Sequence, residues 1–155
     1  MIESKSSDKD KNKDQQLSGL KSVADKARVS EALVYSFMSK NPVSIVEGTK
    51  IHNAIQALSA HSVGSAPVVN KQGKIIGVIS EHDLLIQTAT RDVIEPIEFK
   101  KTIITVTPET TLKEALILLY KNKVRRVPVV MKDQTVCGVV TRMDVLLKLI
   151  GKVRS

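Results

Sequence analysis

The feature that most constrains the fold of this chain is an internal repeat at a constant offset of 61 residues. The segment Pro67-Val68-Val69 returns as Pro128-Val129-Val130, and Gly77-Val78-Ile79-Ser80 returns as Gly138-Val139-Val140-Thr141. Self-similarity at a fixed period predicts that one supersecondary unit occurs twice. A chain of 155 residues has room for two half-size units that share a core, but not for two large independent domains.

Both copies contain the same order of predicted elements. A short strand precedes a helix with an N-terminal capping signal, two apolar strands then form a hairpin, and a closing helix follows. In the first copy, the strand covers 43–46, the hairpin 66–79 and the closing helix 84–89. In the second copy, the same elements cover 103–106, 127–140 and 145–150. We therefore predict an α/β fold of the α+β type, in which two β-α-β-β-α repeats pack with pseudo-two-fold symmetry. Such packing leaves two related clefts between the copies, which favours a ligand-binding role.

The segments outside the repeats are predicted from composition and periodicity. Residues 1–16 are rich in charge and poor in apolar side chains, so we predict a disordered charged tail. Residues 17–36 carry apolar residues at helical spacing and are predicted to form an N-terminal helical segment, either one helix broken near Ser30 or two short helices. The remaining predicted boundaries are 37–90 for the first repeat, 91–101 for the linker and 102–155 for the second repeat.

Charge and composition restrict the class of partner. The net charge is +8, of which residues 91–155 contribute +6, and this gradient suits an anionic ligand or partner, although an ordinary solvated surface is the alternative. Aromatic residues make up only 3% of the chain, which argues against nucleic-acid modules that stack bases on aromatic side chains. The single Cys137 excludes an intramolecular disulfide. With no apolar run of about 20 residues, we predict a cytoplasmic protein that does not enter the membrane.

The repeated Gly-x-x-Ser/Thr-x-x-Asp motif combines groups that suit a nucleotide. The hydroxyls of Ser80 and Thr141 stand at a strand-to-helix junction, where they can cap the helix or donate to a phosphate beside its N-terminus. The carboxylates of Asp83 and Asp144 lie three residues later and accept hydrogen bonds only, as a ribose diol requires. The same spacing is also a capping box that needs no ligand. Both interpretations remain open at this point.

These motifs resemble those of a known family, the tandem cystathionine-β-synthase (CBS) domain pair, also called a Bateman module. The resemblance covers residues 32–150 and lies in five segments: Phe37-Met38-Ser39-x-x-Pro42, Pro67-Val68-Val69-Asn70 with Gly73, Gly77-x-x-Ser80-x-x-Asp83, Arg126-Val127-Pro128-Val129-Val130, and Gly138-x-x-Thr141-x-x-Asp144. One such motif alone is a weak signal. Two motifs at matched register, each behind a hairpin, are a strong one.

The resemblance implies two clefts, each of which joins the hydroxyl and Asp of one copy to the first and second strands of the other. The first would contain Ser80, Asp83, Ile104, Arg125, Arg126 and Pro128. The second would contain Thr141, Asp144, Met38, Val43, Ser65, Ala66 and Pro67, with Arg142 inside its motif. The two arginines of the first cleft suit the phosphates of AMP, ADP or ATP, unless they form a solvated helix end. The second cleft would take a less charged adenosyl ligand such as S-adenosylmethionine, or none.

We therefore predict a stand-alone regulatory module that senses an adenine nucleotide and passes the signal to an effector partner. No arrangement of residues suggests catalysis or a resident cofactor. We expect no metal site either, because His52 and His61 fall on different helical faces. Aliphatic faces expected to be exposed predict a homodimer through the helices; they carry Ile55, Leu58, Leu116, Leu119, Leu146 and Leu149. The alternative is a scaffold of the same fold that binds an acidic protein, or nucleic acid, and no small molecule.

Overall fold

A computed structural model of the chain describes residues 9–17 and 31–152. Residues 9–17 form helix α1, and a turn of 3-10 helix covers Val34–Ser36. The first repeat contains β1 (Ile45–Val46), α2 (Ile51–Ala60), β2 (Ser65–Val69), β3 (Ile75–Ser80) and α3 (Glu81–Thr90). The second contains α4 (Leu112–Asn122), β4 (Arg126–Val130), β5 (Val136–Thr141) and α5 (Arg142–Leu149). No helix among the described residues has the length and apolar character needed to cross a bilayer.

Both repeats are organised around an antiparallel hairpin, as the sequence predicts. Strands β2 and β3 pair with Ser65 opposite Ser80, and strands β4 and β5 pair with Arg126 opposite Thr141. In the first repeat, β1 adds a third strand parallel to β2. The closing helices α3 and α5 begin directly after β3 and β5, three residues earlier than the predicted starts at 84 and 145.

The first strand of the second repeat is shorter than predicted. Of residues 103–106, only Val106 is bridged in parallel, to Val129. In the first repeat, the pairing extends through Glu47, whose N–H donates to the carbonyl of Val69 at 2.8 Å. The equivalent position in the second repeat is Pro108. Because proline has no N–H, the pairing stops after Val106.

Each hydrophobic core is completed by a segment that precedes the other repeat. Val34 and Phe37 are buried among the core residues of the second repeat, and the N–H of Val34 donates to the carbonyl of Thr110 at 2.8 Å. Ile97, from the linker, is buried in the core of the first repeat, and its N–H donates to the carbonyl of Thr49 at 2.9 Å. The two repeats are therefore interlocked by their leading segments.

The interlocking extends to the outer strands of the hairpins. Lys100 pairs with Val78 of β3 through backbone hydrogen bonds of 2.9 and 3.1 Å. At the equivalent positions, Ser39 pairs with Val139 of β5 through hydrogen bonds of 2.9 and 3.0 Å. These pairs place the leading segments directly beside the strand-to-helix junctions of the repeated motif.

The motif glycines are required at these crossings. A Cβ atom on Gly77 would lie 2.5 Å from the carbonyl oxygen of Lys100, and one on Gly138 would lie 2.9 Å from that of Ser39. Real Cβ atoms almost never approach other atoms so closely. The glycines thus admit the backbone of the neighbouring leading segment.

The N-terminal region differs from the predicted organisation. Residues 9–16 belong to α1, where we predicted a disordered tail; residues 1–8 lie outside the described part of the chain. Lysine and glutamine are good helix formers, and α1 contacts the second repeat, where the hydroxyl of Tyr120 donates to Gln16 Oε1 at 3.4 Å. In the predicted helical segment 17–36, residues 18–30 also lie outside the described part. Leu33 is extended because it pairs with Thr111, so only Val34–Ser36 is helical there.

Candidate functional site

The larger of two clefts between the repeats holds most of the residues predicted for the first site. It encloses about 570 Å³ and is lined by residues from β3, the start of α3, the segment after the linker and the start of β4. Five of the six predicted residues lie on its surface: Ser80, Ile104, Arg125, Arg126 and Pro128. The sixth, Asp83, does not line the cleft, because its carboxylate folds back on Ser80. Both repeats therefore contribute to one volume, with a hydroxyl, two guanidinium groups and apolar side chains on its walls.

Ser80 and Asp83 form the N-terminal capping box of α3. The hydroxyl of Ser80 accepts from the backbone N–H of Asp83 at 3.2 Å and donates to Asp83 Oδ2 at 2.9 Å. The same Oδ2 accepts the backbone N–H of Ser80 at 3.0 Å. The capping interpretation is therefore correct for this copy. It leaves Asp83 Oδ1 to a different partner.

That partner is Lys100 of the linker. Its Nζ lies 3.5 Å from Asp83 Oδ1, and its side chain is 68% exposed, whereas that of Asp83 is only 14% exposed. An ion pair with one largely exposed member contributes little to stability, because solvent screens it and the lysine chain loses entropy on pairing. Lys100 can therefore leave Asp83 at small cost.

Cationic groups dominate the first cleft. Arg125 and Arg126 lie on its wall with His82, and Glu81 is the acidic side chain among its lining residues. The alternative of a solvated helix end does not apply to Arg126, which is half-buried and begins β4, whereas Arg125 is exposed three residues after α4 ends at Asn122. Charge-assisted hydrogen bonds from two planar guanidinium groups suit an anion such as phosphate.

The second cleft is smaller and brings together fewer of the predicted residues. It encloses about 320 Å³, and the predicted residues on its surface are Val43, Ser65, Pro67 and Thr141. Its lining also includes Arg126, which we predicted for the first cleft only. The hydroxyl of Thr141 accepts from the backbone N–H of Asp144 at 3.1 Å, so this copy too forms a capping box.

Four residues predicted for the second cleft do not line it. Asp144 is only 2% exposed, and its Oδ2 accepts the backbone N–H of Thr141 at 2.8 Å. Met38 packs into the core of the second repeat, and Ala66 belongs to the core of the first because strand residues alternate between faces. Arg142 points away from the cleft, since its Nε donates to the carbonyl of Val124 at 3.0 Å.

Sequence reasoning missed several residues that the structure places in the clefts. His82 and Thr102 line the first cleft, and Asn41 and His61 line the second. His82 lies inside the Ser80-x-x-Asp83 motif, so its position was a signal for this site. Thr102 precedes Ile104 by two residues, and such residues share one side of an extended segment. No comparable pattern identifies His61, which only the fold brings to the second cleft.

Comparisons with known proteins agree with this architecture. The CBS domain family model matches residues 34–87 and again residues 91–151. Among curated relatives, the A-adding tRNA nucleotidyltransferase of Aquifex aeolicus is 36% identical over 115 residues, which cover 73% of this chain but only 14% of that enzyme. The uncharacterised protein MJ1426 of Methanocaldococcus jannaschii is 26% identical over an alignment of 156 positions, which covers 77% of this chain and 93% of that protein.

Two similar solved structures contain adenosine derivatives. The CBS domain pair of protein MJ0100, in complex with 5′-methylthioadenosine and S-adenosyl-L-methionine, is 28% identical with a TM-score of 0.67, and the match covers 77% of this chain and 96% of that one. CBSX2 in complex with AMP is 26% identical with a TM-score of 0.68 and the same coverage of both chains. The resemblance predicted from the repeated motifs is confirmed: this chain belongs to the CBS domain family and carries two CBS domains in tandem.

Proposed function

We propose that this protein is a regulatory module that binds an adenine nucleotide between its two CBS domains and transmits its occupancy to an effector protein. The observation that carries the proposal is the first cleft, where both domains place Ser80, Arg125 and Arg126 around one volume of about 570 Å³. The complexes of similar CBS pairs with AMP and with S-adenosyl-L-methionine support an adenosine-containing ligand. In this proposal the module regulates and does not catalyse.

In this proposal, the cleft and the adjoining Asp83, which is hydrogen-bonded to Ser80, offer a separate group for each part of AMP, ADP or ATP. Ile104 and Pro128 supply apolar surface for the adenine, and the guanidinium groups of Arg125 and Arg126 supply cations for the phosphates. Asp83 would accept the ribose hydroxyls through Oδ1, the oxygen that faces Lys100 and not the capping box. Binding thus exchanges a weak, exposed ion pair for hydrogen bonds to the sugar.

The second cleft is the weaker candidate in this proposal. Its Asp144 is buried in the capping box, so a ribose there would need the start of α5 to open. We propose that this cleft takes an adenosyl ligand of lower charge, such as S-adenosylmethionine, and that the first cleft fills before it.

We also propose that the regulatory form is a homodimer joined through helices. Leu58 and Leu119, which we expected on an exposed face, are buried in the two cores. Leu116 and Leu149 are half-buried against the core of the second repeat. Ile55 and Leu146 are exposed, and so are Leu85, Ile86 and Ile150, which lie in α3 and directly after α5. Association through these helices would cover exposed apolar side chains. Light scattering coupled to size exclusion measures the mass, and a monomer at micromolar concentration would contradict the dimer.

Isothermal calorimetry with AMP, ADP, ATP and S-adenosylmethionine at low and moderate salt tests the nucleotide proposal. We expect saturable binding that Asp83→Ala weakens at least tenfold, because the ribose loses its acceptor. Asp133→Ala is the matched control, since Asp133 is an exposed carboxylate in the hairpin turn and lines neither cleft. Absence of binding by the parent protein to all four probes would refute the proposal. It would favour the alternative of a scaffold for an acidic protein or nucleic acid, which a salt-dependent mobility shift would detect.

A further inference from the structure

Arg126 lies in the wall that separates the two clefts. It lines the first cleft of about 570 Å³ and the second cleft of about 320 Å³. It also lines a cavity of about 50 Å³ that has neighbours from both clefts around it, including Pro67 and Pro128. Its position at the start of β4, opposite Thr141, places it beside the hydroxyl of the second cleft as well as in the first.

The pseudo-two-fold equivalent of Arg126 is Ser65. Ser65 begins β2 opposite Ser80, and it lines the same three volumes as Arg126. The two halves of this wall thus differ in charge: one half carries a guanidinium group and the other a hydroxyl. The neighbouring Arg125 differs from Arg126, because it lines the first cleft but not the second.

We propose that Arg126 is a shared phosphate-binding residue for which the two clefts compete. The inference rests on the proposed function and extends it to the relation between the sites. A planar guanidinium group that forms paired hydrogen bonds with one phosphate is held in one orientation and does not serve a second phosphate on the other side of the wall. A phosphate on one side of this wall also repels a second phosphate on the other side. Occupancy of the first cleft by a phosphate-bearing nucleotide therefore weakens binding of such a nucleotide in the second.

A neutral nucleoside does not experience this competition. Adenosine has no group that requires the guanidinium, so its binding in one cleft leaves its binding in the other unchanged. For AMP, loss of a charge-assisted contact predicts a second binding step weaker than the first by about tenfold or more. The difference between AMP and adenosine is thus the signature of a shared cation.

Calorimetric titration with AMP and with adenosine tests the inference in the parent chain and two variants. In Arg126→Ala, we expect AMP to bind both clefts more weakly and its two steps to become independent. Arg126→Gln removes the charge but keeps a long polar side chain. It replaces the alanine variant if circular dichroism shows that the alanine variant is unfolded. Arg125→Ala is the matched control: it should weaken the AMP step of the first cleft, because Arg125 lines that cleft and not the second, and the two AMP steps should remain dependent on each other.

The outcomes separate this inference from the proposed function. Two AMP steps whose affinities differ by at least tenfold more than those of the two adenosine steps support it, as does a single AMP site beside two adenosine sites. The same ratio between the two steps for AMP and adenosine in the parent chain, one site for both ligands, or an AMP ratio that still exceeds the adenosine ratio without the Arg126 charge would each overturn this inference while nucleotide binding stands. No binding of AMP or adenosine to the parent chain would overturn the proposed function together with the inference.

Discussion

Replacement of Gly77 by alanine tests the interlocking of the two CBS domains. The added Cβ would lie 2.2 Å from Cδ2 of Phe99 and 2.5 Å from the carbonyl oxygen of Lys100. The distance to the carbonyl oxygen is about 0.9 Å short of the 3.4 Å at which ordinary contact begins. The phenyl ring can rotate away. The carbonyl cannot move without loss of the two backbone hydrogen bonds between Lys100 and Val78.

The expected cost follows from the two ways to relieve this clash. If the segment stays in place, an overpacked site costs about 1–3 kcal/mol. If it detaches, two backbone hydrogen bonds worth about 1 kcal/mol each are lost, together with part of the packing of Phe99. We therefore expect the free energy of unfolding to fall by about 2–4 kcal/mol. Detachment also displaces Thr102 and Ile104 from the first cleft, so AMP affinity should fall as well.

Urea unfolding followed by circular dichroism measures this effect. Gly64→Ala is the matched control in the same repeat, since its Cβ would meet nothing closer than Glu81 Oε1 at 3.5 Å. We expect that control to change stability by less than about 0.5 kcal/mol. A loss below 0.5 kcal/mol for Gly77→Ala, or equal losses for both variants, would refute the argument that the linker requires a glycine on β3.

Three further predictions concern other parts of the molecule. Asp83→Ala should destabilise the fold by only about 1 kcal/mol through loss of the α3 capping box, and a much larger shift in urea midpoint would mean that Asp83 is mainly structural. Gln87→Ala should cost about 1–3 kcal/mol, because the buried amide of Gln87 exchanges two 2.8 Å hydrogen bonds with the backbone of Glu98; exposed Gln72→Ala is the control, and equal midpoints would contradict the prediction. Burial raises the pKa of the Cys137 thiol, so at pH 8 it should react with a disulfide reagent more slowly in the folded chain than in urea, with the native rate rising as the pH increases; equal rates would refute this.

The hairpins and their register were predictable from sequence because both signals are local. Strand β3 alternates buried and half-buried side chains, and β2 is an apolar run that is followed by a polar turn. Both hairpins therefore appear at the predicted places. The capping boxes at Ser80 and Thr141 follow from a three-residue spacing, which also depends only on neighbouring residues. The elements of the second copy could then be predicted from those of the first through the 61-residue offset of the repeat.

The features that sequence reasoning missed depend on contacts between distant segments. Helix α1 has little apolar surface of its own, and its described contact is with Tyr120, 104 residues away from Gln16. The local pattern around Leu33 predicts a helix, but Leu33 is extended because it pairs with Thr111. Asp144 has the same motif as Asp83, yet it is 2% exposed. The side chain of Asp83 is 14% exposed, so equal local sequence does not ensure equal exposure.

In the proposed function, Lys100 lies where the linker meets the ligand. Lys100 is part of the linker that joins the two CBS domains, it pairs with Val78 through the backbone, and its ammonium group faces Asp83. In that proposal, a ribose that takes Asp83 Oδ1 displaces this group, and Thr102, two residues further along the chain, is on the wall of the first cleft. A ligand can shift the arrangement of the domains only by a difference in affinity between arrangements. Because the exposed Asp83–Lys100 pair is weak, most of that difference would come from contacts that join the two domains, such as those of Ser80 and Arg126 in the first cleft.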